Sequence, residues 1–108
     1  MKKSEMVEIN NEVLSAWEKA ENALVLLTCV CKRLRHCTAW VYETDDFYFL
    51  QSYGTVVAFI DKSTDTLYDV LRYVFGYTPT SAKHISKFDL DYGAGKCGCA
   101  KRLTYYPI

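Results

Sequence analysis

The sequence predicts an α+β fold: a long N-terminal helix packed on a small antiparallel sheet of about three to five strands, with a second helix near the C-terminus. Three observations predict it. Apolar residues recur at helical spacing through the first third of the chain. Short β-rich runs separated by polar turns follow. A Thr-Pro start and a Gly stop then bracket a second apolar-periodic segment. At 108 residues, half of them hydrophobic, the chain is expected to form one domain over 1–108 with one modest core.

The first helix is predicted over Asn11 to His36. Val13, Trp17, Ala20, Leu24, Leu27, Cys31 and Leu34 fall on one face, and Ala16, Ala23 and Val30 widen it. Glu12, Glu18, Lys19, Glu21, Lys32, Arg33 and Arg35 sit mostly off that stripe, with acids collecting early and bases late, as the helix dipole prefers. Asn10 or Asn11 supplies the cap. The spacing also fits a short coiled coil, so a homodimer through this helix competes with packing on the chain's own sheet.

Thr38 to Tyr42 reads as a strand, and Glu43-Thr44-Asp45-Asp46 as a turn. Phe47 to Tyr53 reads as the next strand, with Gly54 making a bulge or break. Thr55 to Ile60 is almost wholly apolar and reads as a central strand buried on both sides. Asp61 to Asp65 is a hairpin turn. Thr66 to Phe75 fits a strand in its first half, with a short helix as the rival.

Thr78 caps the second helix and Pro79 occupies its first turn. Ala82, Ile85, Phe88 and Tyr92 form its apolar side, with Lys83 and Lys87 pointing away. Gly93-Ala94-Gly95 stops it, on the expectation that glycine turns left-handed there. Lys101 to Tyr106 is the last strand. Strands joined by short turns pair antiparallel, and both helices are expected on one face of the sheet.

Thirteen basic and thirteen acidic side chains balance. Nonspecific nucleic-acid binders carry a basic surplus, because phosphate neutralisation supplies most of their affinity. No apolar run reaches the ~18 residues of a membrane helix. No apolar segment follows Lys2 and Lys3, so no signal peptide is expected and the cytoplasm is the expected location.

Five cysteines raise a metal hypothesis, with Cys29, Cys31, Cys37, Cys97, Cys99 and His36 as donors. It is weak. On a helix, Cys29 and Cys31 point about 160–200° apart, and Cys31 falls on the apolar face as a small core residue. No metal and no cofactor are expected. His84 lies near Thr80 and Ser81, but no G-x-S-x-G, phosphate loop or H-E-x-x-H accompanies it, so no enzyme is expected.

Ser52-Tyr53-Gly54-Thr55-Val56-Val57-Ala58-Phe59-Ile60-Asp61 follows a string S-Y-x-T-x-V-A-x-x-D. Thr78-Pro79-Thr80-Ser81-Ala82-Lys83-His84-Ile85-Ser86-Lys87-Phe88 follows T-x-T-S-x-x-H-I-x-x-F. These strings resemble a family of small proteins encoded by tailed phages and mobile elements of gut bacteria, over roughly residues 48–93. The resemblance implies a strand pair followed by a capped helix laid on the sheet, with His84 bonded back to a strand. For function it implies an interaction protein that inhibits a host CRISPR effector, an anti-CRISPR. The surface that fits such a partner is acidic and tyrosine-bearing: Tyr42, Glu43, Asp45, Asp46, Tyr48, Asp61, Asp65 and Asp69. The chain's neutrality argues against full mimicry of DNA. The second reading is a nucleic-acid-binding accessory protein, with Lys32, Arg33, Arg35, Lys83 and Lys87 on phosphates and tyrosines stacked on bases.

Overall fold

The computed structural model describes residues 2–26, 30–34 and 38–107. In chain order the elements are α1 (Lys3–Leu26), β1 (Val30–Arg33), β2 (Ala39–Glu43), β3 (Phe47–Ser52), β4 (Thr55–Asp61), β5 (Thr66–Asp69), α2 (Leu71–Val74), α3 (Pro79–Tyr92) and β6 (Lys101–Thr104). The strands form one six-stranded sheet in sequence order, more than predicted. β1 to β5 are an antiparallel meander, whereas β6 runs parallel to β5. A parallel neighbour needs a long connection, and α2 and α3 lie within it.

Alternation along the strands divides the core between two faces. Phe47, Phe49, Phe59, Tyr68 and Leu103 point to one face, where Val13 and Ala20 of α1 cover them. Val41, Leu50, Ile60 and Leu67 point to the other, beneath Ile85 and Phe88 of α3. The helices therefore lie on opposite faces, not on one as expected. The physical reason is in β3 and β4: both are apolar on both sides, so a single helical layer leaves half of each strand wet.

α1 also departs from expectation at both ends. It begins at Lys3, and Val30–Arg33 is a strand paired with β2, Arg33 opposite Trp40. At ~1.5 Å per residue, its 24 residues span ~36 Å, close to the molecule's longest extent of 38 Å. A helix continued to His36 would use up Val30–Arg33, which the sheet takes as its edge strand. Cys31 is exposed on β1, not core, and Leu34 is buried against the α3 side. The predicted helical positions Leu27 to Cys29, Arg35 and His36 lie outside the described residues. Asn10 is not a cap: it is buried in mid-helix, where its side chain donates to the Tyr106 carbonyl at 2.6 Å and accepts from the Tyr106 amide at 3.0 Å.

The hairpin after β3 is tight because Tyr53 and Gly54 both take positive φ, 51° and 79°, the form that suits a two-residue turn between twisted strands. The bulge falls instead at Leu50/Gln51. Thr66 to Phe75 holds both predicted alternatives in succession, β5 then α2. Gly93 ends α3 with an ordinary φ of −66°. Its glycine is required for space: a Cβ there would sit 2.2 Å from the Gly98 carbonyl carbon.

Candidate functional site

The segment from β5 to α3 is anchored from within and decorated without. Asp69 is buried, and its carboxylate accepts from the Leu71 amide at 3.1 Å, which turns the chain from β5 into α2. Val70 and Leu71 are fully enclosed. The Val70 amide donates to the Val57 carbonyl and fixes the segment to β4. Past that anchor Val74 still packs against the core, but the alternate side chains face out. Tyr73, Phe75 and Tyr77 are each more than half exposed, at 51%, 56% and 55%. Thr78 then starts α3, its hydroxyl accepting from the Ser81 amide at 3.2 Å.

The centre of this surface is Arg72. Its guanidinium lies 4.8 Å from the ring centres of both Tyr77 and Tyr106, and Tyr73 meets Tyr105 edge-on at 5.1 Å. A cation held between two rings is oriented by their quadrupoles. Beside it, Arg102 reaches Asp69 at 3.4 Å and Asp89 at 3.8 Å, joining β5, β6 and α3. These groups enclose a cavity of about 290 Å³ on the α3 side of β6, lined by Arg72, Tyr77, Ser86 and Arg102 among others. A second cavity of about 220 Å³ lies between α1 and β6, lined by Met6, Ile9 and Leu103, and shares Arg102, Thr104 and Tyr106 with the first.

The eight predicted acidic and tyrosine positions do not gather into one patch. Glu43 pairs with Lys62 at 2.7 Å, and Lys62 lies 4.5 Å over the Tyr48 ring, which packs on Tyr92 at 4.9 Å. Asp45 and Asp46 are exposed on the adjoining turn, whose Asp46 carbonyl accepts from the Lys62 amide. Asp61 folds its own turn by accepting from Ser63. These positions share one end of the sheet. Asp65 is elsewhere engaged: the Ala94 and Ala100 amides donate to it at 2.9 and 2.8 Å, and the Ala94 bond foremost holds its carboxyl below the usual range. Asp69 is buried as described. Tyr42 is on the α1 face and donates to Gln51, opposite the face that carries Tyr48.

His84 is enclosed, with Nδ1 2.9 Å from Ser52 Oγ, itself 3.0 Å from Ser81 Oγ. The distances resemble a nucleophile and its base, but Ser52 and Ser81 are 2% and 1% exposed and fill the α3–β3 seam. Burial, aided by Lys87, pushes the imidazole below its ordinary pKa.

Among the candidate metal donors, Cys29, His36 and Cys37 lie outside the described residues. Cys97 is exposed and Cys99 half-buried; burial foremost, with Asp89 and Asp65 beside it, pushes the Cys99 thiol well up. A thiol that resists ionisation is a poor nucleophile and metal ligand. Among the described residues no three potential ligands are grouped to hold a metal, and no helix is long and apolar enough to cross a membrane. Of the predicted phosphate-binding set, Lys83 and Lys87 line a shallow hollow beside Tyr77. Lys32 and Arg33 belong to β1, at the far edge of the sheet, and Arg35 lies outside the described residues.

Sequence reasoning missed Arg72, Tyr73, Phe75, Tyr77 and Tyr106. A signal was present: three aromatics in five residues around Gly76, immediately before a Thr-Pro helix start, place rings on a turn and not in a core.

A model built for a family of unknown function matches residues 7–104 of the chain. No curated protein and no solved structure matches it.

Proposed function

The chain belongs to that family, DUF8033, and we propose that it acts by binding a partner protein on its outer surface, with no reaction carried out within the domain. One observation carries this reading: Arg72 held between Tyr77 and Tyr106, amid exposed Tyr73 and Phe75. Tyr and Arg are enriched among the residues that dominate interface binding energy, Tyr as a large stiff ring with a polar end and Arg as a planar fork of donors that stacks on rings. Apolar rings over half exposed gain little for folding and are available to a partner. The test is affinity capture from a lysate of the native host, with the wild-type chain against Arg72→Ala and Tyr77→Ala. The expected result is a protein enriched by the wild type and lost by both variants at unchanged thermal stability. Equal capture by all three baits, or none by the wild type, overturns the reading.

The finer proposal is that the partner is a host CRISPR effector. It is supported by the strings at Ser52–Asp61 and Thr78–Phe88 alone. Cleavage by candidate effectors with and without the purified chain checks it, and undiminished cleavage removes it.

A second reading, nucleic-acid binding, is favoured by Lys83 and Lys87 around the hollow of about 420 Å³ that Tyr77 adjoins. Gel retardation of single- and double-stranded DNA at low salt decides it: no shift ends it.

A further inference from the structure

We propose that the open edge of β6 takes up an extended segment of the partner as an added strand, apolar side chains on the α1 side and acidic ones on the α3 side. The inference rests on the protein-binding reading and names where and how the partner docks.

β6 ends the sheet. Its Lys101 amide donates inward to the Asp65 carbonyl, and the Tyr105 amide just beyond it donates to the Asp69 carbonyl at 3.0 Å. Along a strand the peptide groups alternate, so those of Arg102 and Thr104 turn outward. The next outward group, at Tyr106, is already taken: Asn10 accepts from its amide and donates to its carbonyl. The free ladder is thus short and has a fixed end.

A bare edge is common, and Lys, Arg and Pro blunt it against chance pairing. What distinguishes this edge is a cavity on each side of it, both lined by Arg102, Thr104 and Tyr106. An added strand sends successive side chains to opposite faces, and pockets for alternate side chains are how strand addition gains specificity. On the α1 side the lining adds Met6, Ile9, Leu103 and Asn10, the last with its amide already spent on Tyr106, which suits an apolar side chain. On the α3 side Arg102 is bridged to Asp69 and Asp89, which leaves the Arg72 guanidinium, held between the Tyr77 and Tyr106 rings, to suit an acidic one.

Charge also decides against a second copy of this chain as the occupant. Pairing β6 with β6 gathers two Lys101 and two Arg102 on one short ladder, four cations with no added acid among them.

The probe is a fluorescein-labelled, end-capped hexapeptide alternating Val and Glu, with a Val-Lys peptide as control. Binding is read by anisotropy and by amide exchange of the ¹⁵N-labelled full chain. The Val-Glu peptide is expected to bind, to slow exchange at Arg102 and Thr104 by about tenfold or more, and to outbind Val-Lys. Thr104→Pro removes an outward donor where an edge strand tolerates proline, and is expected to weaken binding about tenfold or more. Arg72→Glu, a surface change, gives the same loss if the proline variant melts early. No binding of Val-Glu, equal binding of Val-Lys, or protection confined to other residues overturns the proposal. So does a wild-type dimer by sedimentation that Thr104→Pro dissociates, since the edge then serves self-pairing. If Thr104→Pro captures the lysate partner as well as wild type does, the edge is wrong and the protein-binding reading stands; if wild type captures nothing, that reading falls.

Discussion

Two single residues carry more than their chemistry advertises. His84 is the residue most open to a catalytic interpretation, and its contacts join two elements of the fold. Nδ1 meets the Ser52 hydroxyl in the α3–β3 seam, and burial holds the ring neutral. Its folded pKa lies below the ordinary 6.5, so the unfolded chain takes up the proton first as pH falls. Stability is therefore full above about pH 6.5 and lost as pH drops below it toward the folded pKa. Thermal melts across mildly acidic pH are expected to show this decline, and His84→Asn to flatten it; an unchanged slope refutes the assignment. Gly93 is the second. Its missing side chain admits the Gly98 backbone at a distance no Cβ tolerates, and backbone retreats less readily than a side chain. Gly93→Ala is expected to cost about 1–3 kcal/mol in denaturant titration, with the loss centred on the 93–100 loop. The stop at Gly93 was legible in sequence because glycine ends helices. The reason it is glycine was not, because Gly98 approaches only once Asp65 and Asp89 have gathered the loop around their carboxylates.

At the scale of elements, what sequence revealed followed locality. α3 was readable because its signals lie in one stretch: the Thr78 cap, Pro79, the Ile85 and Phe88 face and the Gly93 stop. β2 to β4 were readable from alternation and polar turns. The ends of α1 were not, since a stripe of sevens continues through Cys31 and Leu34 whether or not a sheet lies beneath it. Where the helix stops goes with the pairing of Val30–Arg33 on β2, which no local residue reports. Asn10 illustrates the same limit. A polar residue on an apolar face looks like a boundary, but here it binds the backbone of Tyr106, 96 residues away. Removing it leaves the Tyr106 amide and carbonyl without that partner beside a cavity. Asn10→Ala is expected to cost about 1–3 kcal/mol, and amide exchange at Tyr105 and Tyr106 is expected to quicken more than exchange in β3. Uniform acceleration across the sheet would mean that the clamp is only one more contact of the global fold.

Across the whole molecule, two groups of aromatic residues differ in a way that composition does not show. Phe59 sits at the centre of one, stacked on Tyr68 at 4.9 Å and meeting Trp17, Phe47 and Phe49 within 6.2 Å. Tyr73, Phe75, Tyr77 and Tyr106 form the other, grouped about Arg72 and open to solvent. The abundance of tyrosine hinted at binding, but the hint settled on the acidic turns. The surface with the rings depends on how β5 hands the chain to α2 and where β6 returns, which is tertiary information. If the second population exists for a partner, folding and binding must be separable. Phe59→Ala is expected to cost about 3–5 kcal/mol, a large share of the ~5–15 kcal/mol that holds a domain folded. Phe75→Ala and Tyr77→Ala are expected to stay within about 0.5 kcal/mol of wild type in the same urea titration. A loss of about 2 kcal/mol from Phe75 or Tyr77 would make those rings part of the core. Their exposure would then call for no partner. Small losses at both positions leave rings that the fold does not need, which is the condition for a surface maintained for recognition.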